Sequence, residues 1–303
     1  MLRDYIKEIF EPTLLFGVAA GLAGLAAASY YYDGAVIWLG AFAIIGAVAA
    51  QMAVNLIDDY TDYKTGLDME TSKTRFSGGS PLVAGNRVSA AAVLRLAVAA
   101  LFVAGAIGVY TLLVAQAVAI LILMLAAIGG IAAVFYARYL THVPFLAEPF
   151  VAACFALIGI GVFLVASGSS ADMLYVALAC VPCGIQVGVA ALINAMPDRV
   201  PDRKYGRRSW AVMLNDNRLS GFLYLGFEAA GYALLIFGMY ARILPGTFAI
   251  MLAFVPVFQY IAMSTMDYKG PKSYEKVMGI NAAAAMLYMF MLSASFMLAH
   301  IMA

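Results

Sequence analysis

Nine stretches of roughly twenty mostly apolar residues run along this chain. A helix needs about 20 such residues to cross a bilayer, where its backbone groups find hydrogen-bond partners only within the helix itself. The stretches are 13–32, 35–59, 90–112, 115–138, 146–167, 173–196, 221–240, 243–266 and 277–300. Composition agrees. Hydrophobic residues make up 65% and charged residues 12% of 303 residues, against about 45–50% and 25% in soluble domains. The chain reads as an all-α, multi-pass membrane protein forming one domain over 1–303. Its net charge of +1 excludes an electrostatic nucleic-acid binder.

The links between stretches alternate between short and long. Long polar links follow spans two, six and eight. With the N-terminus in the cytoplasm, seventeen of eighteen Lys and Arg residues fall on that side, and only Arg242 lies opposite. This is the positive-inside pattern, and one span more or fewer would scramble it. It places the N-terminus in the cytoplasm and the C-terminus outside. Residues 1–12 carry both signs of charge on an amphipathic pattern and read as a helix at the membrane surface. Cys154, Cys180 and Cys183 lie in apolar stretches, where Cys180 and Cys183 read as small packing residues one helical turn apart.

Acidic residues at the membrane ends of spans are functional hypotheses. Span two ends with Asn55, Asp58, Asp59 and Asp62, followed by Asp68; span six ends with Asn194, Asp198 and Asp202. Offsets of four, seven and eight share one helix face, so Asn55, Asp59 and Asp62 line one stripe. Asn194, Asp198 and Asp202 line another, loosened by Pro197 and Pro201. Like charges one turn apart cost about 0.2–0.5 kcal/mol per pair in water. They also sit at the unfavourable end of the helix dipole. A cation resolves the conflict. Hard oxygen donors suit magnesium, which keeps open positions for phosphate oxygens. Asp59, Asp62, Asp198 and Asp202 are thus expected to hold Mg2+ and carry the chemistry. Asn55 and Asn194 stand beside them toward a diphosphate. The repeated spacing also hints at an internal pseudo-repeat relating spans two and six.

Basic residues supply the matching charge. The loop after span two contains Lys73, Arg75, Gly78 and Gly79, and Arg138 ends span four. Lys73, Arg75 and Arg138 are expected to bind diphosphate, an arginine by forking onto it. Arg203, Lys204, Arg207 and Arg208 follow span six, where the positive-inside pattern already accounts for them. Glu148 begins span five and Glu228 lies deep in span seven.

These motifs resemble the UbiA superfamily of intramembrane prenyltransferases, which carry N-x-x-x-D-x-x-x-D and a second motif ending D-x-x-x-D. Here Asn55, Asp59 and Asp62 close with a gap of three, and Asp59-Tyr-Thr-Asp62-Tyr-Lys64-Thr-Gly66-Leu-Asp68 follows. That form is similar to the MenA branch, the 1,4-dihydroxy-2-naphthoate polyprenyltransferases. So are Leu146-Ala-Glu148 and Gly206-Arg-Arg-Ser-Trp after the second motif. The resemblance implies nine helices around a central cavity, with cytoplasmic cap loops after helices two and six. It implies Mg2+, a polyprenyl diphosphate such as geranylgeranyl diphosphate, and an aromatic acceptor in quinone (menaquinone) biosynthesis. An alternative acceptor is geranylgeranylglyceryl phosphate, as in archaeal ether-lipid synthesis. From another class, a secondary transporter also uses membrane acids, although its sites lie near the midplane.

Overall fold

A computed structural model of the chain describes residues 2–302. Met1 and Ala303, at the ends of the expected domain, lie outside the described residues. Fourteen α-helices and no strands occur among those described. They are α1 (Leu2–Ile9), α2 (Leu14–Tyr31), α3 (Ile37–Thr65), α4 (Leu67–Glu70), α5 (Pro81–Ala84), α6 (Ala90–Val114) and α7 (Ala119–Phe135). Then come α8 (Ala147–Ser167), α9 (Met173–Ala195), α10 (Arg199–Lys204), α11 (Trp210–Leu214), α12 (Asn217–Tyr240), α13 (Val255–Met266) and α14 (Pro271–Met302).

Nine helical segments among the described residues are long and apolar enough to cross a membrane. Seven of them are α2, α3, α6, α8, α9, α12 and α14. Two join a 3-10 turn to an α-helix: Gln116–Phe135, which contains α7, and Gly246–Met266, which ends in α13. Three segments overrun the apolar stretches that announce them. Helix α3 continues through the acidic motif to Thr65, where Gly66 ends it in the left-handed region. Helix α12 starts at Asn217, capped by the Asp216 carboxylate, which accepts from Leu219 N at 2.9 Å. Helix α14 starts at Pro271. Hydropathy marks where lipid begins, but capping and packing decide where the helix ends.

Small residues bring the helices together. A methyl group on Gly24 of α2 would overlap the Gly159 carbonyl of α8, and one on Gly184 of α9 would overlap the Ala152 carbonyl. Membrane helices pack through such close approaches because lipid gives no hydrophobic drive between them. Helices α2, α8, α9, α12 and α14 form a dense core around Phe163, Leu192, Tyr224, Tyr288 and Phe296. Cys180 and Cys183 are free and buried in that core. Glu228 is also buried there, and both its oxygens accept from Gln186 Nε2 at 3.1 and 2.9 Å.

The other side of the bundle is hollow. A cavity of about 870 Å³ lies between α3, α6, α7, α8 and α9, and α2 contributes Phe16 at its edge. Ordinary ligand pockets span about 300–1,000 Å³. One end of the cavity is apolar and loosely filled, with Gly105, Gly108, Gly129 and Gly130 facing open space. The other end is polar and capped by the segments 66–89 and 196–216.

Helix α1 packs against this cap through its charged residues. Asp4 accepts from Arg87 at 2.6 Å, and Glu8 accepts from Ser80 Oγ at 2.7 Å. Both acids are buried. The two acids of α1 therefore face protein, while Arg3 and Lys7 stay exposed.

Candidate active site

Local folding brings the two acidic motifs to one cavity wall. Because α3 runs on to Thr65, Asn55, Asp59 and Asp62 stay on one helical stripe, and all three line the cavity with Asp58. The second motif behaves differently. Pro197 and Pro201 remove backbone donors, and α9 ends at Ala195 before α10 begins at Arg199. Asp198 sits in that break, and Asp202 N donates back to Asp198 O at 2.9 Å. Asn194, Asp198 and Asp202 still line the same cavity.

A further acid joins them from the first cap. Asp68 is 1% exposed, and Lys73 Nζ lies 3.7 Å from it. Its neighbour Gly79 has φ +72°, and a methyl group there would overlap Asp68 Oδ1. A side chain is therefore barred from this position twice, by φ and by contact. Lys73 also donates to the Gly78 carbonyl, and Thr71 Oγ1 donates to the same oxygen at 2.8 Å. The two caps are tied together at Glu70, which accepts from Lys204 at 2.6 Å and from Tyr205 at 2.9 Å.

Among the described residues, one Lys or Arg lines the cavity. Arg207 Nη2 donates to Asp58 Oδ1 at 3.0 Å and to Asp62 Oδ1 and Oδ2 at 2.5 and 2.6 Å. Burial opposes its charge, but Asp58, Asp62 and Asp202 outweigh burial and hold the guanidinium protonated, above its ordinary value. The loop that carries it is fixed at several points. Arg207 N donates to Asp202 O, Arg208 N to Thr141 O, and Trp210 N to Glu148 Oε1 at 2.7 Å.

Charge is not balanced here. Asp198 is pushed up to about 7, mainly by burial and then by Asp202. Asp202 and Asp68 rise to about 6, burial leading in both, with Arg207 opposing it for Asp202 and Lys73 for Asp68. Asp198 Oδ1 and Asp68 Oδ2 are buried without a hydrogen-bond partner. Such atoms cost about 1–3 kcal/mol each, and more when charged. Among the described residues, no three His, Cys, Asp or Glu side chains converge on one point to hold an ion alone. Magnesium does not require that; one or two carboxylates with water and phosphate oxygens suffice. The oxygen-only donor set and the two orphan oxygens fit such an ion.

A model of the UbiA prenyltransferase family matches residues 14–294. The chain belongs to the UbiA prenyltransferase family. It is accordingly a prenyltransferase and a multi-pass membrane protein. Among solved structures, it is similar over 100% of its length to 99% of a digeranylgeranylglyceryl phosphate synthase, at 12% identity and a TM-score of 0.62. A UbiA homologue from Archaeoglobus fulgidus bound to DMAPP and Mg2+ matches 95% of this chain and 98% of its own, at 12% identity and a TM-score of 0.58. A UbiA homologue from Archaeoglobus fulgidus bound to GPP and Mg2+ gives 13% identity, 93% and 98% coverage, and a TM-score of 0.54. At these identities the likeness concerns the fold. No curated protein sequence matches the chain.

Within this UbiA fold, the expected cations separate. Arg75 and Arg138 are exposed and do not line the cavity; Arg75 lies over the Phe76 ring and Arg138 over the Tyr139 ring. The Arg75 backbone N–H is held by Glu275 at 3.2 Å, which keeps that part of the loop on α14. Gly78 and Gly79 line the cavity without Arg75; Gly79 makes room for Asp68, and Gly78 for the Ser72 carbonyl. Lys73 stays at the rim, paired with Asp68. Arg207, and not Arg75, lines the cavity. The positive-inside pattern hides it, because Arg203, Lys204 and Arg208 share its run but face elsewhere. Glu11 also lines the cavity, near Asn55 and Thr13. Only its closeness to the first span hinted at that.

Proposed function

We propose that this prenyltransferase moves a polyprenyl group from its diphosphate to an aromatic acceptor, 1,4-dihydroxy-2-naphthoate, with Mg2+. The observation that carries the acceptor choice is the charge of the cavity. Among the described lining residues, Arg207 is the single Lys or Arg against Glu11, Asp58, Asp59, Asp62, Asp68, Glu148, Asp198 and Asp202. Metal ions and Arg207 can answer one diphosphate. A glyceryl phosphate acceptor would bring a second phosphate with no cation left to meet it. A planar acceptor with a single carboxylate asks far less. The MenA-like extension to Asp68 and the Leu146-Ala-Glu148 motif support the same acceptor, since both acids line this cavity.

Asp59, Asp62, Asp198 and Asp202 would hold the metal, with Asn55 and Asn194 beside them. Bound Mg2+ would offset charge on the leaving diphosphate. Arg207 donates to diphosphate oxygens as the prenyl C1–O bond breaks and its electron pair leaves with oxygen. The apolar end holds the chain and keeps water from the allylic cation. The ring carbon bearing the carboxylate then bonds to C1. Loss of CO2 returns the electron pair to the ring. The polar end would face the cytoplasm, as the basic residues require, where a soluble diphosphate head arrives.

The test offers purified protein, Mg2+ and geranylgeranyl diphosphate both acceptors, dihydroxynaphthoate and geranylgeranylglyceryl phosphate, with products read by mass spectrometry. Prenylated naphthoquinol is expected. A doubly prenylated glyceryl phosphate instead would overturn the acceptor and keep the transferase.

A further inference from the structure

Glu148 is 2% exposed at the start of α8 and lines the cavity. Its two oxygens have different duties. Oε1 accepts from Trp210 N at 2.7 Å and caps the entry to α11. Oε2 is buried without a partner. The Thr141 hydroxyl is committed elsewhere, donating to Ala137 O at 2.8 Å, and Ser209 Oγ, which accepts from Val212 N, makes no hydrogen bond to Glu148 Oε2. A carboxylate oxygen that nothing in the protein satisfies calls for a donor from a ligand.

The surrounding wall fits the shape of that donor. Tyr136 and Phe150 both line the cavity, stacked with centroids 6.4 Å apart and planes at 20°. Phe150 is two residues from Glu148 on α8. Tyr136 is close enough to feel the charges of Glu148, Arg207 and Asp58, so the wall adjoins the diphosphate end. Aromatic rings favour offset stacking with other rings.

We propose that Glu148, Tyr136 and Phe150 form an acceptor subsite for a planar hydroxylated aromatic ring, whose hydroxyl donates to Glu148 Oε2. The proposal rests on the aromatic-acceptor reading above and assigns it a place. The hydroxyl proton stays on the ring oxygen, while the carboxylate raises electron density in the ring that attacks C1.

The test is equilibrium binding of dihydroxynaphthoate to the detergent-solubilised protein under anaerobic conditions, without prenyl diphosphate. Glu148→Gln keeps an amide oxygen for Trp210 N but replaces the free oxygen with a donor. It should weaken naphthoate binding about ten- to hundredfold. Mg2+-dependent binding of a prenyl diphosphate analogue should stay unchanged. Equal naphthoate affinity in Glu148→Gln and wild type would overturn the subsite. A second readout needs no variant: 1,4-dimethoxy-2-naphthoate should bind wild type at least tenfold more weakly, and equal binding would again overturn it. If wild type binds naphthoate through Glu148 but never prenylates it, the reaction assignment fails while the subsite stands.

Discussion

Replacing Arg207 separates the charge argument from the motif argument. Arg207→Met keeps most of the side-chain bulk and removes the Nη2 donor held by Asp58 and Asp62 at 2.5–3.0 Å. Asp58, Asp62 and Asp202 are then left without this cation. Breaking a buried ion pair by removing one partner costs about 3–5 kcal/mol. The side chains of Arg207, Asp58 and Asp62 are 18%, 32% and 11% exposed, so solvent screens part of this. The lower end, about 3 kcal/mol, is expected for protein kept in EDTA. Added Mg2+ should recover part of the loss, because it answers the same carboxylates. Turnover should suffer separately, by about 10²–10³ in kcat, the usual cost of losing one donor to developing negative charge. The assays are denaturant unfolding in micelles, with and without Mg2+, and diphosphate release. Arg207→Lys should restore stability more than kcat, since a point charge lacks the fork. Wild-type stability in EDTA together with wild-type kcat in Arg207→Met would refute the reasoning.

Other consequences follow from the same geometry. Asp198, Asp202 and Asp68 have folded pKa values of about 7, 6 and 6, above an unfolded value near 3.8. The folded state therefore binds more protons, and its advantage is full below that unfolded value and lost as pH rises through about 6–7. In EDTA the melting temperature should fall from pH 5 to pH 8, and Mg2+ should remove the fall; a flat profile in EDTA contradicts the assignment. Gly79→Ala should push Asp68 from its place and weaken Mg2+-dependent diphosphate binding about tenfold or more, as isothermal titration would show; unchanged affinity would deny Asp68 a role. Gly129→Phe places a ring in the apolar end of the cavity. It should shift product chain length from geranylgeranyl toward geranyl when both diphosphates compete, and an unchanged product ratio would mean the chain lies elsewhere.

Much of this was written in the sequence at the level of single segments. The apolar stretches mark the spans because a bilayer imposes a length on a helix. The two acidic motifs mark the polar end because carboxylates one turn apart, repeated at the unfavourable end of two helices, point to a cation. Tertiary pairing was harder to read. Arg207 lies in a run that the positive-inside pattern explains equally well, and only the Gly206–Trp210 turn aims it inward. Arg75 carries the composition of an anion loop, yet its backbone is tied to Glu275 on a helix some two hundred residues away. Glu8 and Glu11 look like the polar face of a surface helix until the cap closes over them. Glu228 gave no hint of Gln186, since residues on separate spans leave no local spacing to find.

The central claim is that two acidic motifs and Arg207 form one metal-dependent diphosphate site. Calorimetric titration with a non-hydrolysable geranylgeranyl diphosphate analogue tests it most directly. Binding should appear with Mg2+, vanish in EDTA, and disappear in both Asp59→Ala and Asp198→Ala while each variant keeps its helical circular dichroism. Equal binding in EDTA, or full Mg2+-dependent binding in either variant, would contradict the account.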